Sequence, residues 1–287
     1  MIYIFAVSYF GSKDIKKYLS SLVAQSYDKW KFIVVDNSES DEELGRLTQV
    51  TKIDPRAQVL QAPRNLGYFG AAEWATSHEN LDSFSWLIVS NTDIQLASPD
   101  ALRDLIAADA PSIGVVAPSI ESQRDHRDQN PHLATRPSIA FMRRRRVLLG
   151  HPVTAQIIVL YSAMRSYLQV RKPKDAICPT EAQEIYAAHG SFMAFSREFF
   201  VRGGNLRHPI FLFAEEVYVA EQCLALDLKT LYVPAIRVWH VEHGQMGHFR
   251  SRAMLKYMKQ ASHLAMQLIR DGEQSASFER RGIGEKS

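Results

Sequence analysis

The sequence predicts an α/β protein with a mixed, mainly parallel sheet flanked by helices. Three observations carry this. Short apolar runs alternate with amphipathic stretches through roughly the first 119 residues, and continuous apolar strands suit a sheet covered on both faces. Two of the runs, Phe32 to Val35 and Phe84 to Ser90, lead directly into polar tripeptides, Asp36-Asn37-Ser38 and Asn91-Thr92-Asp93. A carboxylate there stands at the carboxyl edge of a buried strand, where open α/β sheets bind ligands. After an interruption beginning near Ile120, strand and helix patterns resume from Ile185.

The elements read in order. Ile2 to Ser8 is a β-rich strand. Ser12 to Gln25 has helical spacing through Ile15, Tyr18, Leu19, Leu22 and Val23, with Ser12 as the cap. Lys31 to Asp36 is the second strand, Asp41 to Ile53 a polar helix and Gln58 to Gln61 a short strand. Tyr68 to Asn80 is helical and precedes the Phe84 to Ser90 strand. Pro99 to Ala108, after Ser98, is a helix and Ile113 to Ala117 a strand. Later, Ile185 to Phe195 reads as a strand, Ser196 to Val201 as a short helix, Pro209 to Phe213 as a strand and Glu215 to Leu226 as a helix. Thr230 to Val233 and Arg237 to His240 are two short strands. Arg252 to Ile269 is the final helix, and the polar tail from Asp271 is expected to be loose.

The composition is that of a globular protein, 46% hydrophobic and 23% charged over 287 residues. A net charge of +3 with pI near 8.8 is too mild to argue for nucleic acid. The two cysteines, Cys178 and Cys223, form no Cys-x-x-Cys pair, which disfavours a disulfide scaffold and fits a reducing compartment. The chain enters a strand at once without a secretion signal, and no uncharged apolar stretch has the length of a membrane span.

The interruption has its own chemistry. Between Asp128 and Asp175 no acidic residue occurs, while Arg136, Arg143 to Arg146, Arg165, Arg171, Lys172 and Lys174 do. Val153, Ile157, Ile158, Leu160, Tyr161, Met164, Tyr167 and Leu168 recur at helical spacing within it. A cationic amphipathic helix suits an anionic membrane surface. An ordinary helix packed on the core behind a solvated basic loop is the equal competitor. Interleaved aliphatics argue against base stacking, so no nucleic-acid partner is expected.

Eight short motifs follow one another: Val7-Ser8-Tyr9, Ala24-Gln25-Ser26-Tyr27, Val34 to Ser38, Asn65-Leu66-Gly67-Tyr68, Asn91-Thr92-Asp93, Gly190-Ser191-Phe192-Met193, Phe213-Ala214-Glu215-Glu216 and Trp239-His240. In this order they resemble the family 2 glycosyltransferases, which have the GT-A fold and include bacterial rhamnosyl- and galactosyltransferases. The resemblance spans about residues 1 to 245, less the basic insertion. It divides the chain into a nucleotide-sugar-binding half (1–119), the basic insertion (120–184), an acceptor-binding and catalytic half (185–245) and a C-terminal helix with tail (246–287).

The resemblance implies metal-dependent transfer of a sugar from a nucleotide-diphosphate sugar to an acceptor hydroxyl, with inversion. The acceptor it suggests is a lipid-linked saccharide of bacterial surface polysaccharide or glycolipid synthesis, at the cytoplasmic membrane face. Asp36 matches the carboxylate that accepts from the nucleotide base, which favours UDP or dTDP; a turn-closing Asp is its competing reading. Asp93 matches the last acid of the Asp-x-Asp metal motif, with Asn91 replacing the first. His240 matches a late metal-ligating His, so Mn²⁺ or Mg²⁺ is implied; His243 and His248 are its rivals. Glu216 matches the general base, an Asp in the family, and Glu215 stays open as an alternative.

The remaining substrate-binding candidates by resemblance are Ser8, Arg64, Asn65, Gly67 and Gly190. Glycine at 67 permits close backbone approach and positive φ, and Gly190 would line the acceptor side. Trp239 is expected in the core. Two other functions compete. A nucleotidyltransferase would want a glycine-rich loop after the first strand, and Ser8 to Lys13 is poor in glycine. A degenerate relative would bind sugar nucleotide or membrane without turnover, and the Glu216 replacement is its support.

Overall fold

A computed structural model describes residues 1–81, 83–169, 180–242 and 251–284. The first part runs β1 (Ile2–Ser8), α1 (Ser12–Val23), β2 (Trp30–Asp36), α2 (Asp41–Thr51), β3 (Ala57–Gln61), α3 (Tyr68–Thr76), β4 (Trp86–Asn91), β5 (Ile94–Leu96), α4 (Ala101–Ala107) and β6 (Ile113–Ser122). Two helices follow, α5 (Ile139–Gly150) and α6 (Pro152–Gln169). The chain then returns through β7 (Gln183–Ile185), β8 (Phe192–Ser196), α7 (Arg197–Val201), α8 (Glu215–Ala225), β9 (Lys229–His240) and α9 (Arg252–Gly284).

The strands form one sheet in the order β3-β2-β1-β4-β8-β6-β9-β5, with β7 pairing on β9. β3, β2, β1 and β4 are parallel neighbours. β8 runs antiparallel between β4 and β6, pairing Ser90 with Phe192. Its first residues therefore lie at the carboxyl end of β4.

Alternate side chains of the apolar runs feed two cores, as the two-residue period of a strand demands. Ile4, Val34 and Ile88 pack with Ile15, Tyr18 and Leu22 of α1 on one face. Phe5, Ile33 and Val89 pack with Phe69 and Ala72 of α3, Phe199 of α7 and Val219 of α8 on the other. Among the described residues no helix is long and apolar enough to cross a membrane.

Several local expectations are corrected. Gly11, not Ser12, occupies the cap of α1 and makes no side-chain bond there. The Ser12 N–H and hydroxyl instead donate to Glu43 of α2 at 2.8 and 2.9 Å, so a carboxylate from a neighbouring helix satisfies the free amide. Tyr68 to Asn80 is helical only to Thr76. The two strands expected between Thr230 and His240 are one, with a register shift. The stretch from Ile185 to Phe195 is not one strand, because β7 pairs with β9 while β8 pairs with β4 and β6.

Pro209 to Phe213 is not a strand either. Phe213 and Ala214 adopt left-handed φ values of 71° and 69°, turning the chain sharply into α8. The tail from Asp271 continues the α9 helix to Gly284. Trp239 is 38% exposed, because alternation along β9 buries Val238 and His240 and turns the indole outward.

The insertion supplies α5 and α6. Met142 of α5 packs with Val217 of α8 and with Ala265, Met266 and Ile269 of α9. Arg136 is structural rather than a free surface cation. Its guanidinium donates twice to Glu221 of α8 at 2.8 and 2.6 Å and once to the Ile269 carbonyl at 2.9 Å. The Tyr186 hydroxyl donates to the same carboxylate at 2.6 Å. Arg171, Lys172 and Lys174 lie outside the described residues, as does Cys178.

Candidate active site

The carboxyl ends of β2, β1 and β4 and the start of β8 stand side by side. They carry Asp36, Ser8, Asn91 with Asp93, and Gly190 in that order. At about 4.8 Å per strand, three steps span roughly 14 Å. That is the scale of a nucleoside diphosphate with a sugar attached.

Asp36 is 1% exposed at the end of β2. Its Oδ1 accepts the Ser38 N–H at 3.1 Å, while the buried Oδ2 has no hydrogen-bond partner. A buried carboxylate oxygen left unsatisfied is costly, and it marks a place where a ligand donor is wanted. Ser8 closes the loop after β1, where its Oγ accepts the Gly11 N–H at 3.3 Å. A Cβ on Gly11 would lie 2.4 Å from the Thr92 hydroxyl, so glycine there lets this loop meet the Asn91-Thr92-Asp93 turn. Tyr9 and Phe10, 55% and 48% exposed, form an edge-to-face pair on the loop. Tyr9 belongs to the Val7-Ser8-Tyr9 motif, but two aromatics in a loop have no period from which their pairing could be read.

Asn37 organises the next wall. Its amide donates to Asn65 Oδ1 at 2.8 Å and to the Gly67 carbonyl at 2.9 Å, and its carbonyl oxygen accepts the Leu66 N–H at 2.8 Å. Asn65 is thereby a loop brace, also accepting the Gly67 N–H at 3.1 Å. Gly67 has φ 78°, and a Cβ on it would lie 2.0 Å from the Phe211 carbonyl oxygen. Arg64 is exposed at the same loop and makes no hydrogen bond or ion pair among the described residues.

Asp93 and His240 meet although they are far apart in sequence, because β9 pairs with β5 and places His240 opposite Ile94. The Val241 N–H donates to the Asp93 carbonyl at 3.0 Å. His240 Nε2 lies 3.2 Å from Asp93 Oδ1 and 3.5 Å from Asn91 Nδ2. The other ring nitrogen, Nδ1, meets Gln129 Oε1 at 2.8 Å. The Gln129 amide nitrogen donates to Glu242, which fixes the amide with its oxygen toward the ring. With Gln129 accepting from Nδ1–H, Nε2 is the ring atom that would be left to ligate an ion beside Asp93. Gln129 is held in turn by its own N–H, which donates to the Ile120 carbonyl at 2.8 Å. Sequence reasoning missed it, since a Gln in a polar loop carries no motif. His243 and His248 lie outside the described residues.

The donor set fits a divalent ion held jointly with a diphosphate. Among the described residues no cluster of three or more His, Cys, Asp or Glu offers a full protein cage. Such ions commonly take one or two protein ligands and fill the remaining positions with phosphate and water. Two adjacent ligands on one ion stand about 3 Å apart, close to the Asp93–His240 separation of 3.2 Å.

On the far side, Glu215 and Glu216 open α8. Glu215 is buried, and its Oε1 accepts the Phe213 N–H at 3.0 Å. Burial, with the Glu216 charge adding to it, pushes its pKa up to about 8. Glu216 is less buried and faces Gly190, where an added Cβ would lie 2.9 Å from its Oε1. The Tyr68 hydroxyl donates to the Gly190 carbonyl at 2.7 Å. Burial raises the Tyr68 phenol well above its usual range, and the charges of Glu215, Glu216 and Asp93 add to the rise.

His189, also missed in the sequence, lies beside them. Its Nδ1 accepts the Ser191 N–H at 3.2 Å, and its ring is 6.2 Å from that of His240. Desolvation lowers its pKa to about 4, against the opposing pull of Glu216, so the imidazole is neutral.

This arrangement defines a GT-A glycosyltransferase architecture, and the comparisons with known proteins agree. A mannosyltransferase from Pyrobaculum calidifontis, solved with GDP-Man and Mn²⁺, superposes with TM-score 0.52 at 14% identity, covering 96% of this chain and 74% of its own. GalNAc-T7, solved with UDP, GalNAc and Mn²⁺, gives 0.59 at 15% identity over 92% of this chain and 47% of its own. S. aureus TarS (residues 1–349), solved with UDP-GlcNAc, gives 0.59 at 14% identity over 94% and 66%. This chain thus spans about half to three quarters of those structures' length. No curated protein matches the sequence. A sequence model of glycosyl transferase family 2 matches residues 3–202, and the chain belongs to that family.

Proposed function

We propose that the protein moves a sugar from a nucleotide-diphosphate sugar to an acceptor hydroxyl, with inversion and with the help of Mn²⁺ or Mg²⁺. One observation supports this reading: along the sheet edge stand the unpartnered Oδ2 of Asp36, then Asp93 against His240, then Glu216 against Gly190. Asp36 Oδ2 would accept the imide N–H of uracil or thymine, which favours UDP or dTDP. Asp93 and His240, with Asn91 beside them, would hold the ion, whose charge balances that developing on the leaving diphosphate. Gly67 lets its loop lie against the Phe211 carbonyl, where no side chain would fit, and Arg64 stands free for a phosphate.

Glu216 is the proposed base. Glu215 is the weaker candidate because it holds its own proton at neutral pH and is turned toward the Phe213 N–H. Glu216 would take the acceptor's proton as its oxygen attacks the anomeric carbon, and the nucleoside diphosphate would leave from the opposite face. Direct displacement leaves no covalent intermediate on the protein.

The acceptor we propose is a lipid-linked saccharide of surface polysaccharide or glycolipid synthesis, met at the cytoplasmic membrane face. Support comes from the α5–α6 hairpin. Val153, Ile157, Leu160, Tyr161 and Met164 form an outward stripe on α6, and Phe141, Val147 and Leu148 are exposed on α5 beside Arg143 to Arg146. An exposed apolar patch next to cations suits an anionic bilayer surface.

The test is thermal stability against a panel of nucleoside diphosphates with and without Mn²⁺, for the wild type and Asp93→Ala. A ligand that binds only the folded state raises the melting temperature. A metal-dependent rise with one nucleotide, absent in the variant, is expected. A folded protein that responds to none of them refutes the reading.

A further inference from the structure

A second concave site lies on the other side of the acceptor segment. A groove of about 710 Å³ runs between α5, α9 and the chain at Ile210. Ile210 and Leu264 supply apolar surface, and Arg146, Lys256, Lys259 and His263 surround it, with no carboxylate in the lining. Lys256, Lys259 and His263 recur on one face of α9 at helical spacing, and Arg146 answers them from α5. None of these four side chains makes an ion pair or hydrogen bond among the described residues. An acid three or four residues away on the same helix face would partly neutralise such cations. Here three permanent cations are instead concentrated on one apolar concavity with no acid among them.

The groove connects to the catalytic side through one residue. Phe211 packs on Tyr257 of α9 with ring centroids 5.0 Å apart, while its carbonyl oxygen abuts Gly67. Four residues further on, the chain enters α8 at Glu215 and Glu216. An amphiphile lying in the groove would be held beside the segment that carries the proposed base.

We propose that this groove binds the diphosphate and first hydrocarbon units of a lipid-diphosphate acceptor. The proposal rests on the transferase reading given above. The charge calls for an anion of high charge density, and the long stems of Lys256 and Lys259 extend the apolar floor. The α5 wall continues into the exposed Phe141, Val147 and Leu148 and the α6 stripe, where a hydrocarbon tail has apolar surface to follow. The groove lining has no Phe, Tyr or Trp for base stacking, which disfavours a nucleic acid.

The test is equilibrium dialysis of labelled farnesyl diphosphate against the full chain, below its micelle concentration, with inorganic pyrophosphate and farnesol as separate probes. Saturable binding is expected, at least tenfold tighter than for either probe. The double variant K256E/K259E should weaken it at least tenfold and leave nucleotide binding with Mn²⁺ unchanged. Leu264→Gln should weaken farnesyl diphosphate several-fold and leave pyrophosphate unaffected. Wild-type binding in K256E/K259E overturns the proposal. Pyrophosphate binding as tightly as the lipid also overturns it, reducing the groove to a free-anion site, and so does competition between farnesyl diphosphate and the nucleotide. So does a K256E/K259E variant that loses only sedimentation with phosphatidylglycerol vesicles, since the cations then read bilayer headgroups. Dialysis needs no turnover, so a groove that binds lipid in a protein without transferase activity counts against the transferase reading alone.

Discussion

Replacing Asp36 by Asn should move binding and stability in opposite directions. The Ser38 N–H needs an acceptor and holds Oδ1 in place at 3.1 Å, so the new amide nitrogen would stand where the unpartnered Oδ2 is now. A uracil or thymine imide N–H would then face a donor instead of a carboxylate. A hydrogen bond to a charged group is worth roughly 1.5–3 kcal/mol, which corresponds to a roughly 10- to 150-fold weaker Kd. The free protein exchanges a buried, unpartnered carboxylate oxygen for an unpartnered but uncharged amide, which is less costly to bury, so its stability should hold or rise by up to ~1 kcal/mol. Isothermal calorimetry with UDP, dTDP and GDP reads the first effect, and urea unfolding without ligand reads the second. Nucleotide binding within twofold of wild type would refute the assignment of Asp36 to the base. A loss of binding accompanied by an equal loss of stability would refute the claim that Oδ2 is kept for a ligand.

Four other outcomes are expected. Glu216→Gln should leave nucleotide-sugar binding intact and slow transfer about a hundred- to ten-thousandfold; a wild-type rate would remove it as the base. Gln129→Leu should raise the Mn²⁺ concentration needed for nucleotide-dependent stabilisation about ten- to a hundredfold, since the imidazole loses the partner that fixes its tautomer. Glu215 keeps a proton up to about pH 8 in the folded protein, whereas an unfolded Glu releases it near pH 4.3. The folded state therefore binds more protons between those values, and this group's contribution to stability falls as pH rises through the window. Urea unfolding from pH 5 to 9 should show Glu215→Gln gaining on the wild type as pH rises; a constant difference would rule the account out. Arg136→Met leaves the buried Glu221 carboxylate without its cation and should cost about 3–5 kcal/mol, a fall in Tm of roughly 6–10 °C at about 2 °C per kcal/mol. A change below 2 °C would return Arg136 to the solvated basic surface.

Much of the first sheet was legible because β1, β2 and β4 are buried on both faces and helices such as α1 have one apolar side. The β1 to β4 runs and the cores from Ile4 and Phe5 outward follow from that alternation. What the sequence hid was pairing between distant parts. Nothing local says that β8 inserts antiparallel beside β4, or that Gln129 reaches His240. Pro209 to Phe213 misled because an apolar run of five has the same pattern in a strand as in a segment pressed against a loop. Trp239 misled for a related reason: a large apolar side chain gives no sign of which strand face is left open. Arg136 looked like its basic neighbours until Glu221, 85 residues on, gave it a partner.

The inserted antiparallel strand brings the two sides of the site together. A fully parallel sheet presents only the carboxyl ends of its strands along one edge. Because β8 enters reversed between β4 and β6, its amino end joins that edge, and the Asn91 N–H donates to the Ser191 carbonyl at 2.9 Å. Gly190, the residue before, is then set between Tyr68, which binds its carbonyl, and Glu216, which lies where a side chain would otherwise be. Any larger residue at 190 would displace the Glu216 carboxylate from its present place. Gly190→Ala should therefore mimic loss of the base, lowering turnover while nucleotide binding at Asp36 persists. Loss of both together would show that position 190 supports the whole edge rather than the acceptor side alone.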